Sequence, residues 1–260
     1  MTGERKGADG PPGASSDYGP LCSLVYELDK PVGTSFGDVE FYRDLLAGTS
    51  GEILEPAVGT GRILIPLLQA GLRVRGFDSS PAMLTICRDN CAEHGLRPVL
   101  FEADMATFKE PAAFAAVVVP TGSFALVTGR ERAVQTLRNF RESLLPGGRL
   151  LVDVEPLEQS TSPGPLRHWW FGGDLLTLSS LPPAQPEEDA VATWLRYERW
   201  RDGRLVETEL QHFRLQRHDL DGFAALLREV GFTAVAVHAD YQAGLPPTPD
   251  SQVWTFVATA

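Results

Sequence analysis

The sequence predicts an α/β protein, with a parallel, doubly wound seven-stranded sheet interrupted late in the chain by an antiparallel β insertion. Three observations carry that expectation. Short apolar runs alternate with helical stretches from Gly51 to Val154. A glycine-bearing turn follows the first of these runs, where a strand must bend sharply into a helix. After Val154 the rhythm gives way to long alternating segments, then returns to helix and strand.

Residues 1–19 are rich in Gly, Pro, Ser and Asp and are expected to form a disordered leader. Residues 20–48 hold two short helices separated by Lys30-Pro31-Val32-Gly33. The core is expected over 49–156 and 219–260. Its strands are Glu52–Ala57, Arg73–Phe77, Pro98–Phe101, Ala115–Pro120 and Arg149–Val154. The continuous apolar run Val117-Val118-Val119 suits a parallel strand covered on both faces. Between the strands, Arg62–Ala70 reads as a helix stopped at Gly71, with Pro66 either in its first turn or at a kink. Ser80-Pro81 opens a second helix that ends near His94-Gly95, and Arg130–Leu145 is a third, ended by Pro146-Gly147-Gly148. The antiparallel insertion is placed at 157–218. Its strands Val191–Trp200 and Leu205–Gln216 flank the turn Arg201-Asp202-Gly203-Arg204. Asp219–Val230 is helical, and Thr233–His238 and Val253–Ala258 close the sheet.

The chain has 260 residues, 43% of them hydrophobic, which is enough for a substantial core. Against 23 Lys and Arg stand 34 Asp and Glu, a net charge of −11. Such a surface repels phosphate backbones and weighs against a nucleic-acid partner. Cys22, Cys87 and Cys91 lack the paired spacing of a zinc site, so no metal is expected, and they suit buried positions in a reducing compartment. With no signal segment or membrane span in the pattern, the expected location is the cytoplasm.

Chemistry concentrates in Ile53-Leu54-Glu55-Pro56-Ala57-Val58-Gly59-Thr60-Gly61-Arg62. Gly59 and Gly61 let the backbone turn tightly and approach a ligand. The dinucleotide fingerprint would need a small residue where Leu64 stands. Glu55, at the strand end, would oppose a pyrophosphate but suits an ammonium group. Asp78 ends the second strand, where a carboxylate accepts from both ribose hydroxyls; taken alone this also fits NAD. Asp104 follows the third strand, where it can accept from an adenine amine while the neighbouring Met105 amide donates to a ring nitrogen. In this order, three carboxylates at successive strand ends match the ammonium, ribose and adenine of a cationic nucleoside.

The stretch Glu52–Met105 resembles the class I S-adenosylmethionine-dependent methyltransferases, whose fold is Rossmann-like. Val119-Pro120-Thr121-Gly122 and Leu144-Leu145-Pro146-Gly147-Gly148-Arg149-Leu150 resemble that family's fourth-strand motif and its turn before the fifth strand. Ala57 departs from the family's usual glycine by one methyl. The upstream Tyr26-Glu27-Leu28-Asp29-Lys30-Pro31 and the insertion are similar to small-molecule members, including antibiotic-pathway sugar N,N-dimethyltransferases and glycine N-methyltransferase-like enzymes. The resemblance implies S-adenosylmethionine as cofactor, S-adenosylhomocysteine as product, and an N-terminal helical lid. It implies cofactor contacts from Tyr26, Glu55, Ala57, Gly59, Gly61, Arg62, Asp78, Ser79, Met83, Asp104, Met105 and Pro120. A substrate-binding role for the insertion follows, with a small molecule rather than a membrane or nucleic acid as partner, and a homodimer as one arrangement.

Methyl transfer from a sulfonium is an in-line displacement that depends on proximity and orientation. Thr121-Gly122-Ser123-Phe124-Ala125-Leu126 holds no histidine and no acid, so a strong base after the fourth strand is not expected. The candidate catalytic residues are His168 and His212, although a lone strand histidine is ordinarily a surface or packing residue. Trp169, Trp170, Tyr197 and Arg214 are candidate substrate contacts, with Trp194 and Trp200 equally suited to cross-strand packing. N-methylation is favoured slightly over O- or C-methylation. Two alternatives stay open at this point: a protein that binds the same nucleoside without methylating, and an NAD-type oxidoreductase.

Overall fold

The computed structural model describes residues 18–260; the expected leader over 1–19 lies, but for Tyr18 and Gly19, outside the described residues. Helices α1 (Pro20–Asp29) and α2 (Asp38–Leu46) precede strand β1 (Glu52–Pro56). Then follow α3 (Leu64–Gln69), β2 (Arg73–Asp78), α4 (Pro81–Glu93), β3 (Leu100–Glu102), β4 (Phe114–Val119), a 3₁₀ turn at Ser123–Leu126, α5 (Arg130–Ser143) and β5 (Leu144–Val154). Strands β6 (Arg167–Phe171), β7 (Asp174–Leu181), β8 (Ala190–Arg201) and β9 (Arg204–Gln216) come next, and α6 (Leu220–Glu229), β10 (Thr233–Ala239) and β11 (Trp254–Thr259) end the chain.

The seven-stranded sheet has the order β3-β2-β1-β4-β5-β11-β10. Its first five strands run parallel, and β11 lies antiparallel to both β5 and β10. Order reverses between β1 and β4, which opens a crevice beyond the C-terminal strand ends. Strand alternation sends Leu54, Val117, Val119, Leu150 and Val152 to one face, where α5 and α6 cover them with Leu137, Phe140, Phe223 and Leu227. Ile53, Ala116, Val118 and Leu151 go to the other face, under Tyr42 and Leu46 of α2, Leu64 and Leu67 of α3, and Leu84 and Cys87 of α4. Both faces are covered, which is why these strands read as unbroken apolar runs.

Pro66 falls in the first turn of α3 because the helix starts at Leu64, where its missing N–H has no helical partner to lose. The end of α5 differs from expectation: the helix stops at Ser143, and Leu144 already pairs with Phe114. The next pair is Ala116 with Arg149, so Leu145–Gly148 bulges out of register, with Gly147 at φ +76°.

The insertion builds a separate four-stranded sheet, β6-β7-β8-β9, instead of interrupting the first. The β6–β7 hairpin was not expected. Gly172 and Gly173 at its tip have φ of +60° and +89°, the double positive φ that a two-residue hairpin turn requires. That signal stood in the sequence, masked by the proline-rich run around it. Helix α1 lies against this second sheet, packing Leu21, Cys22 and Val25 on Leu176 and Tyr197. Its first turn lacks a side-chain cap of its own. The Glu209 carboxylate of β9 supplies one instead, accepting from the Leu21 and Cys22 amides at 2.8 and 2.9 Å. Glu209→Ala should therefore cost about 1–2 kcal/mol of stability, a shift of a few degrees in Tm by thermal melting.

Candidate functional site

The crevice at the strand ends is a cavity of about 480 Å3, closed on one side by α1 and on the other by β9. A narrower annex of about 30 Å3 adjoins it under Tyr26, which lines both. The β1–α3 turn forms the floor. Ala57, Gly59 and Gly61 all have positive φ, at +52°, +56° and +92°. The left-handed conformation at Ala57 explains why glycine suits that position; alanine holds it at a cost of about 1–2 kcal/mol. Gly59 lines the cavity, while Gly61 does not. A Cβ on Gly61 would stand 3.0 Å from the Cys87 sulfur, so this glycine lets α4 approach the turn.

Asp78 pins that turn. Its Oδ2 accepts from the Gly59 N–H and its Oδ1 from the Ser80 N–H, both at 2.9 Å. The side chain is buried, which raises its pKa even though those amides pull it down. Ser79, Met83 and Met105 complete the wall around it, with Ser80 capping α4 through the Met83 N–H at 3.1 Å. Asp104 is half exposed, accepts from the Ala106 N–H at 2.6 Å and faces Arg132 at 3.5 Å.

Glu55 is 1% exposed and lines the annex. Its Oε2 is buried without a hydrogen-bond partner among the described residues, and burial holds the carboxyl well above the ordinary carboxylate range. Such an orphaned acceptor is costly unless something donates to it. Arg62 and Pro120 line the same annex. The Arg62 guanidinium is buried and gripped by both Asp38 oxygens at 3.1 and 2.6 Å and by the Thr34 carbonyl at 3.1 Å. Its charge is thus largely answered within the protein.

Behind the annex lies Asp153 of β5, fully buried. It accepts from the Thr121 N–H at 2.7 Å, the Tyr241 hydroxyl at 3.0 Å and the Thr255 hydroxyl at 2.6 Å. Burial outweighs these donors and pushes its pKa up to about 6.

The candidates in the insertion separate cleanly. His212 and Arg214 of β9 line the cavity, with the His212 ring stacked on Trp194 at 4.3 Å and Arg214 paired to Glu187 at 2.6 Å. His168, Trp169, Trp170 and Tyr197 do not line it. His168, Trp169 and Trp170 sit on β6, the edge of the second sheet farthest from β9, and Trp170 is 69% exposed. Tyr197 points under α1, where its hydroxyl donates to Gln211 at 3.2 Å. Strand order, which the sequence does not show, explains the division for β6: β9 borders the cavity, whereas β6 is the opposite edge strand of the second sheet. Reasoning from sequence missed Tyr18, Ser123, Leu126, Val127, Thr128, Arg132 and Phe213 of the lining. Tyr18 packs edge-on against Tyr26 and Phe213, and it sat in the expected leader.

This fold and this acidic strand edge define the class at the level of the domain: a Rossmann-like methyltransferase domain. Residues 53–148 match the methyltransferase domain family. A glycine/sarcosine N-methyltransferase of Aphanothece halophytica is 27% identical over 208 residues, 78% of this chain and 74% of that protein. The sugar N-methyltransferase KedS8 of Streptoalloteichus superposes with a TM-score of 0.73 at 20% identity, over 100% of this chain and 98% of that one. CalS10 of Micromonospora echinaspora, an amino pentose methyltransferase with S-adenosylmethionine bound, gives a TM-score of 0.65 at 21% identity, over 90% and 96% of the two chains.

Two outcomes follow from these buried charges. Asp38→Ala strands the Arg62 guanidinium and should destabilise the fold by about 3–5 kcal/mol in chemical denaturation. Asp153 has a raised pKa, so its contribution to stability is fully present below the ordinary value of 3.8 and is lost as pH rises through about 6. Asp153→Asn should therefore gain about 1–3 kcal/mol on the parent between pH 4 and pH 7, measured by denaturation at each pH.

Proposed function

We propose that the protein methylates a nitrogen of a small-molecule acceptor, in a biosynthetic pathway for a secondary metabolite. The observation that carries the cofactor half of this reading is the Glu55 Oε2, buried and partnerless at the edge of the cavity. An ammonium group is the donor it lacks. Asp78 keeps lone pairs beyond those taken by Gly59 and Ser80, so it suits a pair of ribose hydroxyls. Asp104 and the Met105 segment lie on the same wall and suit adenine. When bound, S-adenosylmethionine supplies an electrophilic methyl group on a sulfonium.

The chain's own share of the work is positioning and exclusion of water. Tyr18, Tyr26 and Phe213 place aromatic faces over the cavity, and Ser123, Leu126 and Val127 close its side after β4. A neutral amine held there needs orientation more than a base. His212 is the histidine that lines the cavity among the described residues, and it favours a second reading, O-methylation with His212 as general base. The antibiotic-pathway and sugar acceptors of the similar structures support a small polar amine. No helix among the described residues is long and apolar enough to cross a membrane. The three free, buried cysteines suit a reducing compartment such as the cytoplasm.

The test is transfer of a labelled methyl group from S-adenosylmethionine to a panel of amino sugars, amino acids and phenols. Label on an amine sustains the proposal; label on phenols alone replaces it with O-methylation, and binding without turnover overturns both. His212→Gln should slow N-methylation by less than about tenfold, whereas loss of a general base costs about 10²–10⁴. Asp78→Ala should weaken cofactor affinity by roughly 10- to 100-fold in titration calorimetry, the worth of charge-assisted hydrogen bonds. Burial raises the Glu55 pKa and an ammonium partner would lower it again, so binding at a pH between the two should release a proton. Calorimetry in buffers of different ionisation enthalpy should detect the release, and Glu55→Gln should abolish it.

A further inference from the structure

The turn after β4 is strained. Thr121 has φ +53° and Gly122 φ +65°, two left-handed residues in succession. Glycine takes that conformation freely, but a β-branched residue takes it only where its surroundings hold it there. What holds Thr121 is visible. Its N–H donates at 2.7 Å to Asp153, a carboxylate without exposure between Val152 and Val154 in β5. Gly122 is constrained too, since a Cβ there would stand 3.0 Å from the Glu155 carboxyl.

An ionised side chain in such a place costs the fold stability, and burial pushes its pKa up accordingly. The arrangement around it is nonetheless complete, with the Thr121 amide and the Tyr241 and Thr255 hydroxyls all directed at its two oxygens. Tyr241 in turn packs on Phe41 and Tyr42 of α2, the helix whose Asp38 grips Arg62. Arg62 lines one side of the annex, and Pro120, Thr121 and Ser123 line the other. One buried acid with its aromatic neighbours therefore stands behind both sides of the space next to Glu55.

We infer that Asp153 is a positioning residue for methyl transfer: through the Thr121 amide it holds the strained β4 turn in the shape that walls the annex beside Glu55. Asp153 does not line the cavity or the annex, and it acts only through the backbone it holds. The inference rests on the reading that S-adenosylmethionine occupies this cavity and annex.

The experiment is calorimetric titration of the intact chain with S-adenosylmethionine and, separately, S-adenosylhomocysteine. Asp153→Ala should lower affinity by about tenfold or more, the scale of backbone strain released when its support is lost. Asp153→Asn should bind within about threefold of the parent, because its amide oxygen still accepts from the Thr121 N–H. In a Thr121→Gly background, Asp153→Ala should lose much less, since glycine takes the left-handed turn unaided. A role confined to stability would give neither the rescue by asparagine nor the suppression by glycine. Equal affinity of folded Asp153→Ala and parent overturns the inference, as does an undiminished loss in the Thr121→Gly background. Should Asp153→Ala not fold, hydrogen exchange of the parent decides: a Thr121 amide that exchanges as fast as exposed loop amides overturns it, and one protected like the β4 core sustains it alongside the Asp153→Asn affinity. A parent that binds neither compound takes down the cofactor reading and this inference together.

Discussion

The site depends on one carboxylate holding two main-chain amides. Asp78 stands at the end of β2 and reaches sideways to Gly59 in the β1–α3 turn and forward to Ser80 at the start of α4. It joins three elements at the point where the sheet reverses order. The turn can therefore keep its left-handed residues while presenting backbone to the cavity. The Val58 N–H adds a second tie at 2.9 Å to the Phe77 carbonyl, so the turn is stitched to β2 at both Phe77 and Asp78. Gly76 makes room for that seam: a Cβ there would meet Val58 at 2.8 Å.

The other buried acids divide the same labour. Asp38 is held below the ordinary range by Arg62, because a bidentate guanidinium outweighs the loss of water. Glu55 and Asp78 are raised because burial is their largest influence, outweighing the Arg62 charge near Glu55 and the amides on Asp78, and neither forms an ion pair among the described residues. The protein thus carries a neutralised ion pair on one side of the annex and an uncompensated acceptor on the other. An acceptor in that state costs the fold stability, and it is the feature that the proposed ammonium-bearing ligand would answer.

The second sheet matters through one strand. β9 brings His212, Phe213 and Arg214 to the cavity, and its Glu209 caps α1. The helix over the cavity and the strand beside it are therefore locked to each other. Ser80, which caps α4, adds a third tie by donating to the Tyr18 carbonyl at 2.6 Å. Cover and floor are thus joined by side chains that themselves adjoin the site.

Much of this was legible from residue order. The apolar runs that became β1, β2, β4 and β5 announced a sheet covered on both faces, and Ser80-Pro81 marked where α4 begins. The acids at the strand ends were legible because a parallel sheet forces its C-terminal ends to one edge, whatever the details of packing. Tertiary structure alone decided which residues of the insertion face the cavity. Trp169 and Trp170 looked like a pocket in one dimension, but β6 lies at the far edge, while Phe213, unremarked in sequence, turns inward from β9. Asp153 was equally silent, since its neighbours in sequence are apolar and its donors come from Thr121, Tyr241 and Thr255. Local pattern determines period and therefore strand or helix. Only long-range pairing determines which strands are neighbours, and with them which side chains share a cavity.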